Sequence, residues 1–179
     1  MSPRRTLTAA LLAVLAAGAA SSGAQSPPAA PYPLDNVPDK MPFDVPYGAP
    51  IPLERAMAAI AATVAEARKH DWKLDVAVVD SGGNLVAFER MDGAQLASIQ
   101  IAEHKARASA TFRRETKVFE MGLQQGGYNY IMTLDGSIAS RGGIPLVEGG
   151  KLIGAIGCSG GTGSQDEVAC KAGVAAISK

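Results

Sequence analysis

Aromatic side chains make up only 5% of this 179-residue chain, and imidazoles are scarcer still: His70 and His104 are the two. A core built on large rings is therefore excluded, and the abundance of Ala and of 20 glycines points to helices packed closely on a sheet through small residues. An excess of one charge is also missing. Seventeen basic and seventeen acidic residues balance, and loss of Arg4 and Arg5 with a leader would leave the chain mildly acidic. Nothing in that charge suggests nucleic acid as a partner. The two cysteines, Cys158 and Cys170, lack the paired CxxC spacing of a zinc site. No Walker lysine or dinucleotide fingerprint accompanies the glycines. Neither histidine has an identifiable nucleophile partner for a Ser-His-Asp arrangement, and no period of 20 to 50 residues repeats.

The N-terminus has the order of a secretory signal: Arg4 and Arg5, the apolar run Leu7 to Ala20, then small residues up to Ala24. The run is too short and too alanine-rich for a membrane anchor, which needs about 20 strongly apolar residues. The expectation is a signal peptide over residues 1–24, export to the periplasm or beyond, and no membrane span once the leader is gone. About 150 residues remain, enough for one domain. Residues 25–50 form an extended arm, since nine of the 11 prolines fall between Pro27 and Pro52 and proline suits neither helix nor central strand. Tyr32, Leu34, Met41, Phe43, Val45 and Tyr47 are interleaved there, and a purely solvated linker would not need them. Part of the arm, over residues 32–48, is expected to lie against the domain or a neighbouring subunit; the alternative is a disordered periplasmic tether.

The domain itself spans residues 51–179. A helix runs from Leu53 to about His70, with Met57, Ile60, Ala61, Val64 and Ala67 at the spacing of one buried face. Strands at 73–80 and 85–91 flank the turn Ser81–Asn84 as an antiparallel hairpin. A second helix runs to about Phe112 from Leu96 or Ser98, followed by a short helix over Thr116–Gly122 and an irregular segment through Leu134. Two more strands surround the turn Glu148-Gly149-Gly150-Lys151, and a last helix opens near Ser164 to Asp166. Hairpins with helices packed on them make an α+β domain.

Gly142 to Gly173, GGIPLVEGGKLIGAIGCSGGTGSQDEVACKAG, is the most informative stretch. Six of the nine residues from Gly154 to Thr162 are Gly, Ser or Ala. A small-residue loop ending on a helix N-terminus can present N–H donors to an anion, or can be a turn that needs glycine only to pack. Cys158 and Cys170 either form a disulfide, if the helix folds back over its strand, or serve as small apolar residues.

LDVAVVDSGGNLVAFERMDGA (74–94), SIQIAEHKARASATF (98–112) and the 142–173 stretch together resemble the GlcG/HbpS-like haem-binding family, which includes the C-terminal domain of PduO-type cobalamin adenosyltransferases. The resemblance covers residues 51 to the C-terminus. It implies a PAS- or profilin-like sandwich with a five-stranded, mainly antiparallel sheet flanked by helices, assembled as a homo-oligomer from dimer to octamer. It also implies non-covalent haem in a storage, sensing, scavenging or degrading role; no CxxCH attachment motif is present, so covalent c-type haem is excluded. The alternative ligand is a small carboxylate held by the glycine-rich loop and Lys105, by a binding protein or an enzyme. Arg141 stands where many members have Pro, and Cys158 and Cys170 replace small aliphatic residues.

His104 is the sharpest metal-ligand candidate, because the family's lysine-containing helix borders the ligand pocket there; otherwise it is a surface histidine between Glu103 and Lys105. Lys105 and Arg141, beside Gly142 and Gly143, are candidate anion clamps for haem propionates or a small acid. A lysine on a largely buried helix face must otherwise find an internal partner, Asp80, Glu89 or Asp166. Asp166 also suits a helix cap. Tyr128 and Tyr130 suit stacking on a flat ligand or packing in an interface. Met91, Met121 and Met132 are either soft axial ligands or core.

Overall fold

The computed structural model describes residue 34 and residues 37–178. The chain divides into residues 1–36 and residues 37–179, and the fold lies in the second unit. The expected signal segment, residues 1–24, and the start of the arm lie outside the described residues. Among the described residues no helix is long and apolar enough to cross a membrane.

The elements follow in the order α1 (Leu53–Lys69), β1 (Asp75–Asp80), β2 (Leu85–Arg90), α2 (Ala97–Thr111), α3 (Lys117–Gln124), a 3₁₀ turn (Asn129–Thr133), β3 (Gly143–Glu148), β4 (Lys151–Ser159) and α4 (Gly163–Ile177). The sheet order is β2-β1-β4-β3, and every neighbouring pair is antiparallel. Alternation along the strands sends Val76, Val78, Ile156 and Cys158 to the face covered by α1 and α4. Ala77, Val79 and Ala155 go to the face covered by α2.

That second face is built from small residues. A Cβ at Gly157 would collide with the Ala102 carbonyl and the Ala106 amide, so α2 lies on β4 at backbone distance. On the opposite face, α1 buries Ala56, Ala59, Ile60, Thr63, Val64 and Ala67. The face expected from the sequence is rotated slightly: Met57 and Ala61 are exposed because α4 approaches through Gly173, directly over Ala59 and Thr63.

The sheet has four strands, not the expected five. β1 ends at Asp80 opposite Gly154, and the arm takes over its lane beside the start of β4. Leu152 N–H donates to Pro46 O (2.7–2.8 Å contacts on both sides: 2.8 Å here), Gly48 N–H donates to Leu152 O at 2.7 Å, and Ile51 N–H to Ile153 O at 2.8 Å. This makes one parallel bridge, Tyr47 to Leu152, and no strand, since Pro46 and Pro50 have no N–H to continue a ladder. From Phe43 onward the arm is docked as expected, whereas Leu34 and Met41, expected to pack with it, are exposed. Tyr47 Oη donates to Thr111 O at 2.9 Å, and Arg113 Nη1 to Val45 O at 3.1 Å.

β3 forms one border of the sheet. Gly143 turns its amide away from β4 to Thr116 Oγ1 (2.9 Å), and its carbonyl accepts from Thr116 N–H (3.0 Å). Pro145, two residues on and pointing the same way, has no N–H at all.

Candidate ligand-binding site

The residues singled out in the sequence fall in three places. Lys105, Arg141, Gly142 and Gly143 come together at the N-terminus of α4. Gly142 has φ 110°, and a Cβ there would lie 2.9 Å from Asp166 Cβ and 3.2 Å from Lys105 Nζ. Gly143 is pressed against the backbone of Lys105. Glycine is required at both positions so that α2, β3 and α4 can converge.

Lys105 is 1% exposed, and its ammonium donates to Asp166 Oδ2 at 2.8 Å and to Cys158 O at 3.0 Å. Of the internal partners weighed from the sequence, Asp166 is the one present. Asp166 Oδ1 in turn accepts from Gly161 N–H at 3.0 Å. Burial pushes the Asp166 carboxyl up, while Lys105 and the Gly161 amide pull it back. Thr162 and Gln165 form a reciprocal capping box on α4. The chain's own side chains thus take up the Gly161, Thr162 and Gln165 amides at this helix end, and Lys105 is paired with Asp166.

Arg141 is shared between two carboxylates. Its Nε donates to Glu120 Oε1 at 2.7 Å and its Nη1 to Glu167 Oε2 at 3.4 Å. Arg141 holds Glu120 below the usual carboxylate range. Burial works to raise Glu167, but Lys171 and Lys117 outweigh it and hold that carboxyl low. The guanidinium keeps about a quarter of its side chain in solvent, 23%. Cys158 and Cys170 are joined as a disulfide that fastens α4 to β4, with Cα atoms 5.9 Å apart.

His104 stands apart from that cluster, half-buried on α2. Its Nε2–H donates to Gly136 O at 3.2 Å, and Nδ1 has no hydrogen-bond partner among the described residues. His70 is engaged elsewhere, stacked on Trp72 at 4.3 Å and 3.3 Å from Glu66. Met91 is core, whereas Met121 and Met132 are exposed.

Tyr128 belongs to the third place, a cavity of about 260 Å³ between α2, α3, the 3₁₀ turn and the arm. Phe43, Phe112, Phe119 and Tyr130 line it with Tyr128, and Arg114 is the charged residue in its wall. Sequence reasoning noted Phe43 and Phe112 but missed the cavity, because its walls come from four separated segments. Concentration was the available signal: three of the four Phe and two of the four Tyr gather here. Asp75 was missed as well. It is fully buried on β1 with neither carboxylate oxygen hydrogen-bonded, opposite Arg90 on β2 and Ser159 on β4, and burial pushes its carboxyl up despite Arg90.

His104 does not line the aromatic cavity, which at about 260 Å³ also falls short of the roughly 300–1,000 Å³ that encloses a drug-sized ligand and so does not enclose a porphyrin ring.

Comparison with known proteins gives a consistent answer. GlcG of Escherichia coli (strain K12) is 40% identical over 106 residues, 59% of this chain and 78% of that protein. The crystal structure of HbpS superposes with a TM-score of 0.68 at 30% identity, covering 75% of this chain and 94% of that one. The PduOC:heme complex superposes with a TM-score of 0.67 at 28% identity, covering 72% and 96%. The family described as haem degrading protein HbpS-like matches residues 51–175, and the chain belongs to that HbpS-like family.

Proposed function

We propose that the chain is an exported, homo-oligomeric haem-binding protein, holding haem non-covalently, with His104 as the residue that would bind the iron. The observation that carries the reading is the free Nδ1 of a half-buried imidazole, oriented by its Nε2–H on Gly136 O. A ring fixed through one nitrogen and open at the other is the usual arrangement of a metal-ligating histidine. Membership of the HbpS-like family and likeness to the PduOC:heme complex support the choice of haem. When bound, haem supplies a redox-active iron; the chain's residues bind and orient it. Arg141, partly in solvent, suits a propionate, whereas Lys105 is committed to Asp166 and holds the fold. Storage, sensing, scavenging and degradation are the roles this binding would serve. Export is supported by the leader-like N-terminus and by the disulfide, a bond that persists in oxidising compartments.

The test is titration of hemin into the mature protein. A Soret shift is expected, retained in His70→Ala and lost in His104→Ala. Absence of any shift would reject haem, and an unchanged shift in His104→Ala would reject the assigned ligand.

A further inference from the structure

We propose that the aromatic cavity is a binding site for a small aromatic carboxylate, with Arg114 as its anion partner and Phe43 of the arm as one of its stacking walls. Three observations carry this, none of which rests on the haem reading.

The first is size. A dry cavity of about 150 Å³ lined by apolar side chains accepts benzene, so the cavity here, of about 260 Å³, has room for a ring and a carboxylate.

The second is composition. In a chain poor in aromatics, Phe43, Phe112, Phe119, Tyr128 and Tyr130 converge on one space. A ring entering it would meet faces and edges at stacking distance, as Phe112 and Phe119 already meet each other edge-to-face at 5.0 Å.

The third is charge. Arg114 lines the cavity and has no carboxylate partner among the described residues. Its Nε donates to Phe112 O at 3.0 Å, and the terminal nitrogens have no hydrogen-bond acceptor there. Burial lowers its pKa, as expected for a cation drawn into an apolar wall. The guanidinium carbon lies 3.4 Å from the centroid of Phe43 and 5.6 Å from that of Phe119. Ring contact uses the flat face of the guanidinium and leaves its N–H fork free in the plane, the geometry that receives a carboxylate bidentately. Asp44, beside Phe43, lies 3.9 Å from Arg113 and not within ion-pair distance of Arg114.

An apolar ring alone would leave the cation unpaired, and a bare carboxylate would leave the aromatic walls unfilled. The two together match the site.

Calorimetric titration of the mature protein with benzoate tests the proposal, with acetate and benzyl alcohol as ring-less and charge-less controls. Benzoate should bind saturably and both controls at least about tenfold more weakly, a factor equal to about 1.4 kcal/mol. Arg114→Gln should weaken benzoate by roughly 10- to 100-fold, the range for losing a charged hydrogen-bonded pair, and leave benzyl alcohol unchanged. Should Arg114→Gln not fold by circular dichroism, Phe43→Ala carries the test, with an expected loss of roughly threefold or more from one stacking contact. No benzoate binding, equal binding of acetate, or benzoate affinity unchanged in the folded variant overturns the proposal. The haem reading is decided separately, by the His104→Ala spectrum.

Discussion

Lys105 Nζ meets Asp166 Oδ2 at 2.8 Å with both side chains almost fully buried, and this contact joins helices on opposite faces of the sheet. α2 lies over Ala77 and Ala155, while α4 lies over Ile156 and Cys158. A buried pair of this kind is expensive to break from one side only, because the partner charge is left without water or counter-ion.

Lys105→Met is therefore expected to cost about 3–5 kcal/mol in urea unfolding. Adding Asp166→Leu should recover part of the loss, since the stranded carboxylate goes with it. A double variant no more stable than Lys105→Met would show that the two charges are not coupled.

The disulfide closes a short loop, residues 158 to 170. Replacing both cysteines by Ala should lower stability by roughly 2–3 kcal/mol, the chain-entropy value for a loop of that size. Mass spectrometry of the exported protein without reductant should show the loss of both thiol hydrogens. Free thiols in that material would contradict the bond.

Asp75 sets a pH dependence opposite to that of Glu120 and Glu167. Its folded pKa is raised, so the folded state holds the proton more tightly than the unfolded chain does. The stability this contributes is complete below the unfolded value of 3.8 and is lost as pH rises through the folded value. Asp75→Asn removes that loss. Between about pH 4 and pH 7 the variant should gain stability relative to the parent, read as a rising difference in melting temperature. A difference that stays flat would mean the carboxyl is not protonated in the fold. Glu120 and Glu167, held low, contribute the reverse: stability present near neutrality and lost as pH falls through their folded values.

The helices and hairpins were legible because period and turn chemistry are local. Gly149-Gly150 between two apolar runs announces the β3–β4 turn, and the three-and-four spacing after Pro52 announces α1. The strand count was not legible, since it depended on whether a Pro-rich arm could continue β1's lane; Pro46 and Pro50 allow one bridge and no more. Lys105 was legible as a buried cation in need of a partner. Which of three carboxylates answered it was settled by the approach of α4, and that in turn depends on Gly142 and on the Cys158–Cys170 bond. The cavity around Arg114 was the least legible feature, because no two of its walls are neighbours in a recognisable motif.

Pro145 and Thr116 bear on how copies of this chain can meet. One edge of the sheet has its outward groups at Gly143 taken by Thr116, and at Pro145 it has no donor to offer. Among the described residues, β2 at the other edge presents an open ladder. A sheet with a single joinable edge can pair once, back to back with its twin, and then has nothing left to extend. Strand-to-strand association between copies would stop at two, a built-in barrier to fibrous growth that leaves any larger assembly to the helical faces.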